Sequence, residues 1–525
     1  MTRLPLLLCV ALCASSAWAG PKKATPKEPE KPPTAAEPAE LSKKDVKLRE
    51  KAFAAYETEL ASGSKPRAAD ALVAIVDDAS LAEFHGEAYA KLGDILADLD
   101  LKYSALCAYE KAFETATDTN VDEVSLRVPK AIEIAHKVGD VAILQKPFAA
   151  NLGLARTDDV RGEMAYLAAK ETVRGQQWGT ASAILKMVKQ GDPMWSDAKV
   201  LDGIVLNQQG KYEDALRAFD EAGRTGAGRD ARWTDSLQIN TARTWYGAGN
   251  YPRAIESFAR VSRGSDYWPD AQFERAWAHF RMDDFNGALA QLLPFDSAFF
   301  AKWYYPEADL LRIYSMFLLC KFPEAESQME HFKEKYSPVL AKLKAWDGHS
   351  NAETFEAARL YAQKGKTTEL PEMIWRPWGS EERLSQSIGA VKAADDELKR
   401  MKSVNANPFS ERAKEWLTAR RDAVVDAEGG RVKARFETQR GELGESLTNS
   451  EIFILDILRM KQQMYEQSAR AGKELEAAKT VKRTERLRKG YAEWPFEGEF
   501  WEDELGYYRV DVTPECPASM RQSVQ

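Results

Sequence analysis

The chain has 525 residues, a formal net charge of −8, 44% hydrophobic residues and 29% charged residues. This balance is ordinary for a soluble protein of several domains or one elongated array, and it excludes bulk disorder and collagen. The acidic charge argues against a general nucleic-acid binder. Five cysteines and five histidines exclude a disulfide scaffold and argue against a large metal cluster, so we expect no cofactor and no metal.

Residues 1–19 have the composition of a secretory signal peptide. Arg3 gives a positive start, an apolar run covers residues 4–12, and an A-x-A cleavage pattern ends at Ala19. The apolar run is too short to cross a membrane. We therefore expect an exported protein that resides in the periplasm.

The residues around and after this leader refine the expectation. Lipid anchoring at Cys13 is possible in principle but disfavoured, because Leu12 stands where lipoprotein signals usually have a small residue. Residues 20–44 are rich in Pro, Lys and Glu and predict an extended tether, with an inert leader as the alternative. No later apolar run reaches 18 residues, so we expect no transmembrane span.

A helical repeat fills residues 45–340. Apolar residues recur there at helical spacing, without sustained strand-like alternation. The clearest copy places Gly203 in a first helix and Ala215 and Phe219 in a second. The equivalent residues of other copies are Gly93, Ala105, Tyr109, Ala254, Phe258, Ala288 and Ala325. The key small position of about eight units falls at residues 69, 105, 144, 181, 215, 254, 288 and 325.

This pattern resembles the tetratricopeptide repeat, a helix–turn–helix unit of about 34 residues. Small residues stand where the two helices approach closely, and an aromatic ring fills the space beside each of them. The resemblance implies an all-α fold, a right-handed solenoid of helical hairpins with a concave groove. It further implies that the groove binds a peptide or helix of a protein partner.

In the tetratricopeptide family, residues of the first helix of each unit line the groove. Carried onto this chain, those positions are Asn207, Gln208, Arg243, Tyr246, Phe273, Trp277, Phe280, Arg281, Tyr314 and Phe317. Aromatic and Arg side chains are frequent interface anchors, and Arg243 and Arg281 could take an acidic group of the partner. An earlier copy offers Glu87, Asp94 and Asp98, which predicts an acidic start to the groove. The alternative is that the aromatic residues pack against the chain's own C-terminal helices.

The repeat register is lost after residue 340. Residues 341–380 predict a connector, and residues 381–489 predict three long polar helices. Their narrow apolar stripes favour a coiled-coil hairpin that forms a partner-binding arm, or a cap on the solenoid.

Residues 490–525 form a tail rich in aromatic and acidic residues. We interpret it as packed against the body of the protein. The alternative is an envelope enzyme that acts on glycan through Glu497, Glu499 and Glu502. Sequence motifs of common hydrolases, nucleotide-binding loops and zinc proteases are absent from the chain, so a non-enzymatic scaffold is the preferred prediction.

The cysteines and the overall order of segments complete the sequence prediction. A Cys107–Cys320 bond is disfavoured because these residues are several repeats apart, whereas Cys516 could reach Cys320 if the tail folds back. The leader, tether, repeats, long helices and W-P-F-E-G-E-F-W tail resemble periplasmic tetratricopeptide components of bacterial adventurous gliding-motility machinery. That resemblance implies a scaffold whose partners are other proteins of the cell envelope.

Overall fold

The computed structural model describes residues 42–156, 158–470 and 498–516. Within these residues the regular structure is helical, and the all-α, tetratricopeptide-like solenoid expected from the sequence is confirmed. The predicted signal peptide and nearly all of the predicted tether lie outside the described residues. The first helix begins at Lys43, where the Ser42 side chain caps the Asp45 backbone N–H.

Eight consecutive helical hairpins form the array within the described residues. Their first and second helices are α1 (Lys43–Ala61) and α2 (Lys65–Asp77), α3 (His85–Asp98) and α4 (Lys102–Glu114), α6 (Val128–Val138) and α7 (Gln145–Ala150), α8 (Asp158–Arg174) and α9 (Trp178–Leu185), α10 (Trp195–Gln208) and α11 (Tyr212–Thr225), α12 (Ala231–Gly247) and α13 (Tyr251–Phe258), α14 (Trp268–Phe280) and α15 (Phe285–Leu292), and α16 (Pro306–Leu318) and α17 (Phe322–Ala345). A short helix, α5 (Val121–Ser125), precedes the third hairpin. We number the hairpins as repeats one to eight.

Each hairpin turns through one residue of left-handed backbone conformation. These residues, with φ between 55° and 83°, are Gly63, Asp100, Gly139, Gln176, Gly210, Gly249, Asp283 and Cys320. In repeats two to eight the left-handed residue stands five positions before the key small position. Glycine adopts this conformation without steric cost, and Asp tolerates it better than most residues. The turn thus repeats in register with the helices, even where its residue is not glycine.

Small residues and aromatic rings interlock between the two helices of a hairpin. A Cβ atom added at Gly93 would lie 2.5 Å from Cε1 of Tyr109, and one added at Gly203 would lie 2.5 Å from Cε1 of Phe219. Ala105 and Ala215 are fully buried beside these rings. The other repeat positions, Ala254, Phe258, Ala288 and Ala325, are buried as well. Close approach of two helices requires such small residues at the crossing.

The C-terminal region begins with α18 (Asn351–Lys364) and the single-turn helix α19 (Glu372–Trp375). Helix α20 (Glu382–Met401) follows, and then α21 (Pro408–Arg470), which has 63 residues. At 1.5 Å per residue, α21 is about 94 Å long. The second and third of the three predicted helices are therefore one continuous helix, and no proline interrupts the residues between their apolar stripes.

Helix α20 and the first part of α21 run antiparallel to each other. Arg421 lies 3.4 Å from Asp395, and Arg431 lies 2.7 Å from Glu381 near the opposite end of α20. This is the predicted hairpin, but it packs on the array instead of projecting from it. Helix α21 contacts α2 and α4 at one end of the array and α17 and α18 at the other.

Ion pairs and hydrogen bonds fix both ends of α21 to the array. The Phe409 backbone N–H donates to Asp70 at 2.9 Å in repeat one, and Lys461 lies 2.8 Å from Glu326 in repeat eight. Midway, the α21 backbone passes very close to α18 at Gly429. A Cβ atom there would lie 1.9 Å from the Asn351 carbonyl oxygen. The long helix therefore braces the first repeat against the last.

Candidate partner-binding surfaces

The predicted acidic start of the groove is neutralised by the chain itself. Arg49 donates to Glu87 at 2.7 Å, and Lys65 lies 3.0 Å from Asp98. Asp94 accepts hydrogen bonds from the Tyr109 hydroxyl, Arg127 and Lys130 at 2.8, 3.0 and 3.1 Å. The expectation of an acidic surface is corrected here: basic residues of neighbouring helices face each carboxylate, a pairing that spacing within one repeat cannot reveal.

The predicted residues Asn207 and Gln208 end the first helix of repeat five. Asn207 is buried, and its Oδ1 atom has no hydrogen-bond partner within the described residues. Gln208 is exposed. The two side chains therefore differ, and Gln208 is the one that solvent reaches.

Arg243 carries an internal ion pair. Its Nε atom donates to both carboxylate oxygens of Glu274 at 2.9 Å, and its Nη2 atom lies 3.9 Å from Asp270. Burial opposes the charge of Arg243, but these two carboxylates outweigh burial and raise the pKa of Arg243. The expectation that Arg243 awaits an acidic partner is corrected, since Glu274 on the next first helix already neutralises it.

Two edge-to-face ring pairs lie on repeats six and seven. Tyr246 lies 5.3 Å from Tyr251 between ring centroids, and the exposed guanidinium of Arg281 lies 5.7 Å over the same Tyr251 ring. Trp277 lies 5.6 Å from Phe280. Ring pairs at these distances are favourable beyond the area they bury.

The aromatic residues of repeats six and seven differ in exposure. Phe273 is buried, with its ring 5.8 Å from that of Tyr305, whereas Tyr246, Trp277 and Phe280 are only partly buried. Phe273 therefore belongs to the packing of the array. The partly buried rings and Arg281 form what we call the ring strip: Tyr246, Tyr251, Trp277, Phe280 and Arg281.

Helix α21 covers the predicted groove positions of repeat eight. The Phe453 ring lies 4.8 Å from Tyr314 and 4.9 Å from Phe317. The pKa of Glu307, on the same helix as these rings, is raised to about 7, mainly by burial and further by the charge of Glu442 on α21. Tyr314 and Phe317 thus pack against the chain's own helix, as the alternative interpretation held, and are not open to a partner while α21 is in place.

Two buried carboxylates link the C-terminal helices to repeats two and three, and sequence reasoning missed both. Glu397 of α20 accepts from the backbone N–H groups of Tyr103 and Ser104 at 2.9 and 2.8 Å, which caps the start of α4. Asp140 accepts from Arg420 of α21 at 2.8 and 2.9 Å and from the Tyr103 hydroxyl at 2.7 Å. The contacts of Glu397 and Arg420 join residues about 280 to 294 positions apart, so no local pattern marks them.

The described part of the tail lies on repeats six to eight. Leu505 is buried in a cluster with Trp268 and Phe273, and Cys516 is bonded to Cys320 with 5.1 Å between Cα atoms. The tail acids Glu502, Asp503 and Glu504 are exposed. Glu497, which belongs to the proposed glycan site, lies outside the described residues. Among the residues that the structure describes, no group of three or more His, Cys, Asp or Glu side chains could hold a metal ion.

A shallow cleft of about 530 Å³ lies between the end of α17 and α21. Its lining includes Lys344, Asp347, Arg440 and Glu445, and an ion pair between Arg440 and Asp347 crosses it. Charged, polar and glycine residues line this seam between two packed helices, without the aromatic and aliphatic residues typical of small-molecule sites. No described helix is long and apolar enough to traverse a bilayer.

Comparisons with known proteins give structural neighbours only. No family model matches the chain, and no curated protein matches it. A tetratricopeptide repeat protein from Parabacteroides merdae aligns at 15% identity with a TM-score of 0.26, covering 51% of this chain and 99% of that chain.

Two further solved structures give the same result. The C-terminal part of a TPR repeat-containing protein from Cytophaga hutchinsonii aligns at 14% identity and a TM-score of 0.33, covering 54% and 98% of the two chains. The P58(IPK) TPR domain aligns at 11% identity and a TM-score of 0.17, covering 79% and 99%. Because these scores are low, the fold assignment rests on the repeat geometry of the chain itself, which is that of an all-α, tetratricopeptide-like solenoid of helical hairpins.

Proposed function

We propose that this protein is a non-enzymatic scaffold that binds another protein through the ring strip. The observation that carries the proposal is the two pairs of partly buried rings on repeats six and seven, with the exposed guanidinium of Arg281 over Tyr251. Partly exposed aromatic residues beside an arginine are the composition of interface hot spots. A partner helix or extended peptide with apolar residues and one carboxylate would suit this strip.

The bracing by α21 supports this function. A solenoid whose repeats contact only their neighbours bends easily. When a partner binds one curvature of such a solenoid, the entropy lost in fixing that curvature weakens binding. Here α21 connects repeat one to repeat eight, and its ion pairs and buried caps hold the curvature between them. The array therefore presents the ring strip in one preorganised shape.

The cell envelope is the proposed location, and gliding-motility machinery is the proposed complex. Export rests on the leader and tether of the sequence, and the Cys320–Cys516 disulfide is consistent with an oxidising compartment. The motility assignment rests on the resemblance in segment order and tail sequence. The partners would then be other envelope proteins.

A site-specific photocrosslinker tests the proposal in the native cell. Placed at Arg281, it should capture a defined partner, and placed at Asp220 on the exposed side of α11 it should not. Adding Trp277→Ala to the first variant should abolish the capture while leaving the circular dichroism spectrum unchanged. Equal capture from both positions, or capture that persists without Trp277, would show that the ring strip is not the binding surface.

A further inference from the structure

The described tail, residues 498–516, contacts the array as a peptide contacts its receptor. Near its start, the Arg263 Nη1 atom donates to the carbonyl oxygens of Asp503 at 2.6 Å and of Glu502 at 3.3 Å. The same guanidinium lies 4.5 Å over the Tyr507 ring. These contacts hold the backbone and one aromatic ring, so they do not depend on the acidic side chains.

A Leu-Gly pair provides the anchor of this contact. Leu505 is 5% exposed and packs in the apolar cluster of repeats six to eight. Gly506 has φ = +86°, and a Cβ atom there would lie 3.0 Å from Nε2 of Gln272 and 3.2 Å from Cζ2 of Trp268. The left-handed backbone favours glycine at this position, and the close approach leaves little room for a Cβ atom.

The end of the tail is held by backbone pairing and by a covalent bond. The Asn286 amide accepts from the Val512 N–H at 2.9 Å and donates to the Val512 carbonyl at 3.2 Å. The Glu515 N–H donates to the Leu319 carbonyl at 3.0 Å, and Lys321 forms an ion pair with Glu515. Cys516 is bonded to Cys320 in the turn of repeat eight.

We propose that this surface is an exchangeable docking site for the tail sequence, and that the tail of a second copy of this chain occupies it once the Cys320–Cys516 bond is open. The contacts of the tail with Arg263 and Asn286, and the packing of its Leu-Gly pair, recognise features of the tail peptide. A tail from another molecule has the same features. Residues 471–497 separate α21 from the tail. A segment of that length spans at most about 90 Å, which is long enough to reach a neighbouring molecule.

The disulfide determines which tail is bound. A tethered tail has an effective concentration in the millimolar range, so the molecule's own tail is favoured in dilute solution. The disulfide then holds that tail in place for as long as the bond is intact. A dithiol opens the bond: it is oxidised to a disulfide, and Cys320 and Cys516 together take up two electrons and two protons. With the bond open, crowded molecules can exchange tails.

Mixing two variants tests the exchange, in a background with Cys9→Ser and Cys13→Ser. Cys320→Ser retains Cys516 on its tail, and Cys516→Ser retains Cys320 in its turn. In oxidised glutathione, the Cys516 thiolate forms a mixed disulfide and releases one glutathione, and the Cys320 thiolate of the other molecule then releases the second. Buried Cys107 does not compete.

On a non-reducing gel, the mixture should show more covalent dimer than either variant shows alone. Its amount should rise with protein concentration. If the mixture contains no more dimer than the single variants, the tail does not exchange between molecules and the proposal is wrong.

A peptide measurement keeps the test independent of those variants. A fluorescent peptide of residues 498–516 with Cys516→Ser should bind the reduced full chain, and binding to the oxidised full chain should be at least about 10-fold weaker. The Gly506→Ala peptide should bind the reduced chain at least about 10-fold more weakly than the parent peptide. Equal binding of both peptides, or equal binding to oxidised and reduced chain, would contradict the docking site.

Discussion

The cap that Glu397 places on α4 gives the sharpest test of how the C-terminal helices hold the array. Its carboxylate is 2% exposed and accepts hydrogen bonds from the Tyr103 N–H at 2.9 Å, from the Ser104 N–H and Oγ at 2.8 and 2.7 Å, and from Arg400 Nη2 at 3.5 Å. No residue preceding α4 provides a side-chain cap. Glu397→Ala would therefore leave two buried backbone N–H groups without an acceptor.

The expected cost follows from those groups. Each buried donor left unpaired costs about 1–3 kcal/mol, and the loss of a negative charge at a helix N-terminus adds about 0.3–1 kcal/mol. We therefore expect Glu397→Ala to lower the free energy of unfolding by about 2–7 kcal/mol. Glu397→Gln retains one acceptor oxygen and should cost about half as much.

Urea denaturation and amide hydrogen exchange measure this effect. Because a repeat array need not unfold in two states, exchange at Tyr103 and Ser104 is the local measurement, and it should accelerate in Glu397→Ala. Asp396→Ala is the matched control, because Asp396 is exposed and its ion-pair partner within the described residues is Lys399, at 3.3 Å. A cost below about 0.5 kcal/mol for Glu397→Ala, with unchanged exchange, would refute the capping argument.

Three further predictions concern the same brace. Gly429→Ala should cost about 1–3 kcal/mol, because its Cβ atom would overlap the Asn351 carbonyl, whereas Gly441→Ala, with no atom within 4 Å of its Cβ, should be neutral or stabilising in the same urea titration. Glu307 has its folded pKa raised from near 4.5 to about 7, so its contribution to stability is present below pH 4.5 and is lost as the pH rises to about 7. The melting temperature should fall over that window, and Glu307→Gln should flatten the fall; an unchanged slope would contradict the burial of this carboxyl. Asp140→Ala should cost about 3–5 kcal/mol because it leaves the partly buried Arg420 guanidinium and the buried Tyr103 hydroxyl without this acceptor, and a calorimetric loss below 1 kcal/mol would count against that ion pair.

The helical repeat could be predicted from the amino-acid sequence alone. Gly203 followed by Ala215 and Phe219 predicts two helices in close contact, because only a small residue fits where an aromatic ring from the partner helix lies. The same spacing sets the key position of every other unit, including those that lack glycine. Local geometry repeats along the chain, so periodicity in the residues was sufficient to predict the fold class and the approximate number of units.

The surface was only partly predictable, since it depends on contacts between distant segments. Tyr314 and Phe317 occupy groove positions of their repeat, yet Phe453 covers them. Arg243 is of a residue type that is frequent at binding sites, yet Glu274 of the next repeat forms an ion pair with it. A side chain's role depends on which elements face it, and the register within a repeat does not specify that.

The role of the C-terminal region as a brace follows from long-range contacts that the sequence does not reveal. The narrow stripes of α20 and α21 are compatible with a projecting arm or a cap, because amphipathicity specifies that a face is buried and not what buries it. Three contacts distinguish these possibilities: Glu397 with the start of α4, Arg420 with Asp140, and Cys516 with Cys320. Each joins residues about 200 to 300 positions apart, and their proximity results from the curvature of the whole array and not from any local pattern in the chain.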